Sequence, residues 1–220
     1  MPKFAHHTFE GGGVAIWHIT ESSDELYTLL ATHRYDAQLL EKKNEGRRAE
    51  WLAVRLLVKE LFGEVCEVAY HPTGRPYLKG CDVRISISHT KGYAAVAYHG
   101  EAEIGVDVEY ISSRVERIAS RFTTLDEASY IDVHDERVRQ MYHLINWSAK
   151  ETLYKLFDSP SLAEFKEAFH IAPYTLADCG TMDATVLGAE RSVLTVSYRT
   201  FPMFVCTWAM TNSQQPTANS

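Results

Sequence analysis

The chain has 220 residues, 45% of them hydrophobic and 23% charged, with a formal net charge of −7. That length buries a sizeable core as one large domain or two small ones, and the composition is ordinary for a globular protein. The acidic balance argues against a general nucleic-acid binder, which must neutralise many phosphates, and no apolar run reaches the length of a membrane span. The opening Met1-Pro2-Lys3-Phe4-Ala5-His6-His7 lacks the apolar core of a signal peptide, so a cytoplasmic protein is expected. Cys66, Cys81, Cys179 and Cys206 are widely spaced with no C-x-x-C, which excludes a zinc site of close ligand pairs and predicts small free thiols.

In chain order, Val14 to Ile19 reads as a strand, and Ser22, Ser23 or Asp24 can cap a short helix over Glu25 to Ala31. Gly46 to Phe62 is a stronger helix, with an apolar stripe of Val54, Leu57, Val58 and Leu61 and a stop at Gly63. Arg48, Arg55 and Lys59 fall roughly on one basic face of it. Val65 to Tyr70 reads as a strand that ends in the turn His71-Pro72-Thr73-Gly74-Arg75-Pro76. Val83 to His89 alternates apolar and polar residues, turns at Lys91-Gly92 and returns as Tyr93 to Tyr98, a hairpin.

Ile104-Gly105-Val106-Asp107-Val108-Glu109 alternates again, which buries Ile104, Val106 and Val108 and projects Asp107 and Glu109 together from the other face. Two neighbouring carboxylates of this kind suit a hard cation such as Mg²⁺ held jointly with substrate phosphate. Ser112-Ser113 can cap a helix through Ser120, and Thr124 with Glu127 forms a capping box that explains both residues structurally. From about Val138 to Phe157 the periodicity is helical. Met141, Ile145, Ala149, Thr152, Leu153, Leu156 and Phe157 share one arc, while Trp147, Lys150, Glu151, Tyr154 and Lys155 gather on the other. Asp158 to Ser161 breaks that helix. Ala184 to Leu187, Val193 to Tyr198 and Phe204 to Met210 read as strands, and Thr211 to Ser220 as a polar tail.

Two stretches together carry a resemblance. Gly105-Val106-Asp107-Val108-Glu109 followed by Trp147-Ser148-Ala149-Lys150-Glu151-Thr152-Leu153-Tyr154-Lys155 resembles the G-x-D-x-E and W-x-x-K-E-x-x-x-K pattern of the 4'-phosphopantetheinyl transferases of the Sfp type. Gly74-Arg75-Pro76 and Ile87-Ser88-His89-Thr90 are similar to two further elements of that family, although Ser86 stands where it often has Asn. The resemblance implies an α+β fold, a pseudo-dimer of two similar α+β halves with the active site at the interface between them. The halves would run 1–108, with the coenzyme A motifs, and 109–210, with metal and catalysis, before a flexible tail at 211–220.

The implied reaction moves 4'-phosphopantetheine from coenzyme A to a serine of an apo acyl or peptidyl carrier protein and releases adenosine 3',5'-bisphosphate. Asp107, Glu109 and Glu151 would be ligands of Mg²⁺, with Mn²⁺ as the alternative. Glu151 and Lys155 would be catalytic, Glu151 as general base. Coenzyme A, the co-substrate, would be held by Arg48, Arg75, Ser88, His89, Lys150 and Lys155, with Arg47, Arg34, Lys42 and Lys43 as open alternatives for the upstream contact. The expected partners are coenzyme A and a carrier protein, with no nucleic acid and no membrane, and the expected state is a monomer. Two other classes use the same features: a different Mg²⁺-dependent phosphoryl-transfer enzyme, which would not prefer coenzyme A over ATP, and a non-catalytic carrier-binding module.

Overall fold

The structure is a computed structural model, and it describes residues 3–157, 165–187 and 192–211. The break expected at Asp158 to Ser161 and the tail from 212 onward lie outside these residues. The chain divides into two compact units, 1–101 and 102–220.

In the first unit, β1 (Lys3–Phe9) and β2 (Gly12–His18) form a hairpin in which Phe9 faces Gly12. The two-residue loop works because Gly11 takes φ +74°, a left-handed conformation that side chains resist. α1 (Ser23–Leu30) starts on the capping box of Ser22 and Glu25, and α2 (Asp36–Leu40) follows. α3 (Glu45–Phe62) is capped by the Asn44 side chain, which accepts from the Arg47 N–H, and it stops at Gly63. β3 (Glu67–Tyr70) and β4 (Pro76–Lys79) make a two-stranded sheet around the His71–Arg75 turn. β5 (Arg84–Thr90) and β6 (Tyr93–His99) turn at Lys91-Gly92, as the sequence predicts.

The main sheet has the order β1-β2-β6-β5, and α3 packs on β2, β5 and β6. Trp17, Leu26, Leu52, Leu57 and Val96 form its core, each large side chain contributing about 2 kcal/mol by leaving water.

The second unit begins with β7 (Ile104–Tyr110), followed by α4 (Arg114–Ile118), a 3-10 turn over Ala119–Arg121, α5 (Leu125–Ile131) and the long α6 (Glu136–Phe157). α7 (Phe165–Ala168), β8 (Phe169–Ile171), β9 (Cys179–Val186), β10 (Ser192–Thr200) and β11 (Phe204–Met210) complete it. The sheet order is β7-β11-β10-β9-β8, with α6 laid across β7 and β11. In this second sheet the last strand, β11, returns beside the first, β7, whereas in the first unit the last strand, β6, lies between β2 and β5.

Several expectations shift. The boundary falls at Glu101/Ala102 rather than after residue 108, because β7 pairs with β11 along its whole length and keeps Asp107 with Glu109. Ser113 gives α4 no side-chain cap, whereas Thr124 and Glu127 do form the capping box of α5. Cys66 and Cys81 are joined through their sulfurs, with Cα atoms 5.6 Å apart, while Cys179 and Cys206 are free. Arg55 is buried at 2% exposure, so it does not join a basic surface with Arg48.

Candidate active site

The site in the second unit depends on how closely α6 approaches β7. A Cβ at Gly105 would run into the Thr152 carbonyl and press on Leu156, so only glycine lets the helix lie on this strand. That approach places one face of α6 over Asp107. The Lys155 ammonium donates to Asp107 Oδ1 at 2.8 Å and to the Val106 carbonyl at 3.2 Å.

The Ser148 hydroxyl donates to Asp107 Oδ2 at 2.8 Å and lies 2.9 Å from the Thr207 hydroxyl on β11. Each hydroxyl has a single proton, so with Ser148 donating to Asp107 it is Thr207 that donates to Ser148. Thr152, 2.7 Å from Thr207 Oγ1, closes the chain. Next along β7, Glu109 Oε1 accepts the Trp147 indole N–H at 2.7 Å. Asp107 is buried and Lys155 is 28% exposed at its side chain, so the cluster opens on the lysine side.

Electrostatics mark the same place. Burial pushes the Glu109 carboxyl up to about 7, aided by the Asp107 and Glu151 charges and opposed by the Trp147 N–H and by Lys155. Glu151 is also raised, chiefly by burial and then by Asp107, with Lys155 acting against it. Three carboxyl groups and one ammonium thus stand in a desolvated place, and burial pushes two of the carboxyls toward protonation.

Among the described residues no three Asp, Glu, His or Cys side chains stand together as a ready metal cage. The donor set nevertheless fits a hard divalent cation, since all three acidic side chains offer carboxyl oxygens. The free Glu109 oxygen and the Glu151 carboxylate are the groups that would close on it with Asp107.

Lys150 lies elsewhere. Its side chain is fully buried, and its ammonium donates to the Phe122 carbonyl at 2.6 Å, Glu127 Oε2 at 2.9 Å and the Lys166 carbonyl at 3.3 Å. Glu127 in turn accepts from the Ile171 and Thr124 N–H groups, both at 2.8 Å. Burial lowers the Lys150 pKa, and Glu127 works against that shift. All three ammonium protons are committed, which leaves none for a phosphate and corrects the expectation that Lys150 binds coenzyme A. On the same helix, Asn146 bonds the hydroxyls of Tyr130 and Tyr174 at 2.7 and 3.2 Å and fixes the segment before β9.

In the first unit, Glu50 of α3 gathers His89 Nδ1 at 3.1 Å and Arg47 Nη1 at 3.4 Å. The structure therefore puts Arg47 with His89, while the Arg48 Nε is buried without a hydrogen-bond partner among the described residues. Ser88 is buried, and strand alternation turns it away from the face that carries His89. Arg75 sits in the β3–β4 turn, where Gly74 at φ +92° has open space around it.

Sequence reasoning missed Ser148 and Thr207 as partners of Asp107, while Arg47, an open alternative to Arg48, is the arginine found beside His89. A lone threonine inside the apolar strand Phe204–Met210 was the available signal for Thr207.

The sequence has relatives. Residues 103–201 match the 4'-phosphopantetheinyl transferase superfamily. The 4'-phosphopantetheinyl transferase AcpT of Salmonella typhimurium (strain LT2) is 27% identical over 131 residues, which is 58% of this chain and 68% of the relative. The AcpT of Salmonella typhi is 29% identical over 132 residues, with the same coverage. The chain is thus similar to this superfamily over residues 103–201 and to these two relatives at low identity. The matched stretch contains β7 and α6, and with them every member of the acidic cluster. Among the described residues no helix is long and apolar enough to cross a membrane.

Proposed function

We propose that the protein is an Sfp-type transferase that moves 4'-phosphopantetheine from coenzyme A to a serine hydroxyl of an apo acyl or peptidyl carrier protein, with Mg²⁺ or Mn²⁺, as a monomer. The observation that carries this reading is the partly buried cluster of Asp107, Glu109 and Glu151 against Lys155.

In the reaction the serine oxygen bonds to the phosphorus of the phosphopantetheine arm. The phosphoanhydride bond breaks, and adenosine 3',5'-bisphosphate leaves with the bond's electrons. Asp107, Glu109 and Glu151 would hold the cation, which when bound offsets diphosphate charge and fixes the in-line arrangement.

Burial raises the affinity of Glu151 for a proton, which suits it to take the one released by the serine hydroxyl. Lys155 orients Asp107, and its partly exposed ammonium is assigned to a phosphate oxygen. Ser148 and Thr207 keep Asp107 in one rotamer, and Trp147 does the same for Glu109. Arg48, Arg75 and His89 are assigned to the nucleotide end, with Arg47 beside His89.

The test is intact-mass spectrometry of an apo carrier protein incubated with this protein, coenzyme A and Mg²⁺. A gain of one phosphopantetheine, absent with EDTA and with Glu151→Ala, is the expected result. No gain across several carriers together with no coenzyme A binding would sink the reading.

A further inference from the structure

β3 and β4 form a small sheet of their own, paired from Glu67 with Lys79 to Tyr70 with Pro76. Val68 and Leu78 are buried and anchor it in the core, while Tyr70 and Lys79 stand at the surface. A two-stranded hairpin is marginal by itself, so its attachment matters. One end is the His71–Arg75 turn, closed by the His71 N–H donating to the Arg75 carbonyl at 2.9 Å. At the other end the chain leaves and rejoins the body of the first unit.

Two cysteines stand at that base. Cys66 precedes β3, Cys81 follows β4 after Gly80, and their Cα atoms are 5.6 Å apart, within the span of a disulfide. The approach is built into the backbone. Gly80 takes φ +84°, and a Cβ there would stand 2.7 Å from the Val65 carbonyl oxygen. The residues just before the two cysteines are thus pressed together, and a side chain at position 80 would part them.

Cys66 lies in the core cluster at 4% exposure, whereas Cys81 packs against its edge and keeps part of its surface. The two are fifteen residues apart, and the loop their link closes contains the whole hairpin. With the link made, the two ends of the hairpin cannot part. With it open, the hairpin is held by its own ladder and by the burial of Val68 and Leu78.

We propose that Cys66 and Cys81 are a reversible thiol–disulfide site, which fastens the base of the β3–β4 hairpin when oxidised and releases it when reduced. The co-reactant is a dithiol. Its thiolate attacks the sulfur of Cys81, the less buried of the two; the S–S bond breaks, and Cys66 leaves as a thiolate that takes up a proton. The second thiol of the reductant then closes on the mixed disulfide and frees Cys81. The pair gains two electrons and two protons, the dithiol loses them, and exchange with a small disulfide runs the sequence backwards. Arg75 sits in the turn of the same hairpin. Its grip on coenzyme A, which rests on the transferase reading, is therefore firmer in the oxidised form.

The experiment sets the full chain in oxidised glutathione or in dithiothreitol, maps N-ethylmaleimide labelling by peptide mass, and follows hydrogen exchange over residues 67–80. A Cys66–Cys81 disulfide in the first condition and two labelled thiols in the second are expected, interconvertible without unfolding. Reduction should speed exchange over 67–80 by about threefold or more and lower the melting temperature by several degrees. Cys81→Ala should show the fast exchange in both conditions. Both cysteines labelled after oxidised glutathione, a disulfide that dithiothreitol opens only on unfolding, or equal exchange in the two states would overturn the proposal. Coenzyme A calorimetry separates it from the transferase reading, with severalfold tighter binding expected of the oxidised form. Binding by neither form would sink that reading and leave the exchange site standing on the mass and exchange data, and equal binding by both would overturn the link to Arg75.

Discussion

Helix α6 carries two lysine–carboxylate pairs barely more than one turn apart, and they could hardly differ more. Lys150 and Glu127 are both wholly buried, and each spends its hydrogen-bonding capacity on the other and on backbone groups. Lys155 and Asp107 are open on the lysine side and have two further carboxylates close by, both pushed toward protonation. Saturation marks the first pair as architecture. Unbalanced charge at an accessible edge marks the second as a place for chemistry.

The largest effect expected from that contrast is on turnover. Lys155→Ala and Glu151→Gln should each lower carrier-protein modification by about a hundredfold or more, read as mass conversion over time, with melting almost unchanged. Lys150→Met should do the reverse. It strands the Glu127 carboxylate in the interior, and a loss of about 3–5 kcal/mol in urea unfolding is expected. If Lys150→Met melts normally but loses coenzyme A binding, the division between the two pairs fails.

Gly105→Ala touches both properties, since its methyl group pushes α6 off β7 and loosens Lys155 from Asp107. A cost of about 1–3 kcal/mol in stability should accompany a fall in activity.

The smallest effect concerns pH. Folded Glu109 takes up its proton near 7, and at its ordinary 4.5 when unfolded. Between those values the folded state holds more protons, so this group's contribution to stability declines as pH rises from about 4.5 to 7. In EDTA, Glu109→Gln should therefore melt higher relative to the parent above pH 7 and lose that advantage below pH 4.5. Parallel melting curves at all pH values would remove Glu109 from the coupled cluster.

Much of this was legible beforehand. Period-two alternation announced β7, and with it the shared face of Asp107 and Glu109; the helical period announced α6 and set Glu151 and Lys155 one turn apart. Lys150 misled because a helical wheel sees only one helix, and Glu127 arrives from α5 to make burial tolerable. Arg55 misled in the same way, since its aromatic neighbours Trp51 and Tyr35 meet only once α3 is packed. β1 escaped notice because its residues Lys3–Phe9 mix histidines with few apolar positions, and β8 because three residues carry no period. The Cys66–Cys81 link is a tertiary approach between the ends of the β3–β4 region, without spacing to betray it.

The pairing of β7 with β11 has a bearing on how the protein is made. Asp107 emerges from the ribosome early in the second unit, yet the strand that flanks it, and the Thr207 hydroxyl behind Ser148, come roughly a hundred residues later. A contact so distant in sequence closes slowly. During that interval β7 lacks its β11 partner, so the same strand that carries the acidic cluster is a largely apolar segment of the nascent chain open to mispairing until Phe204–Met210 arrives.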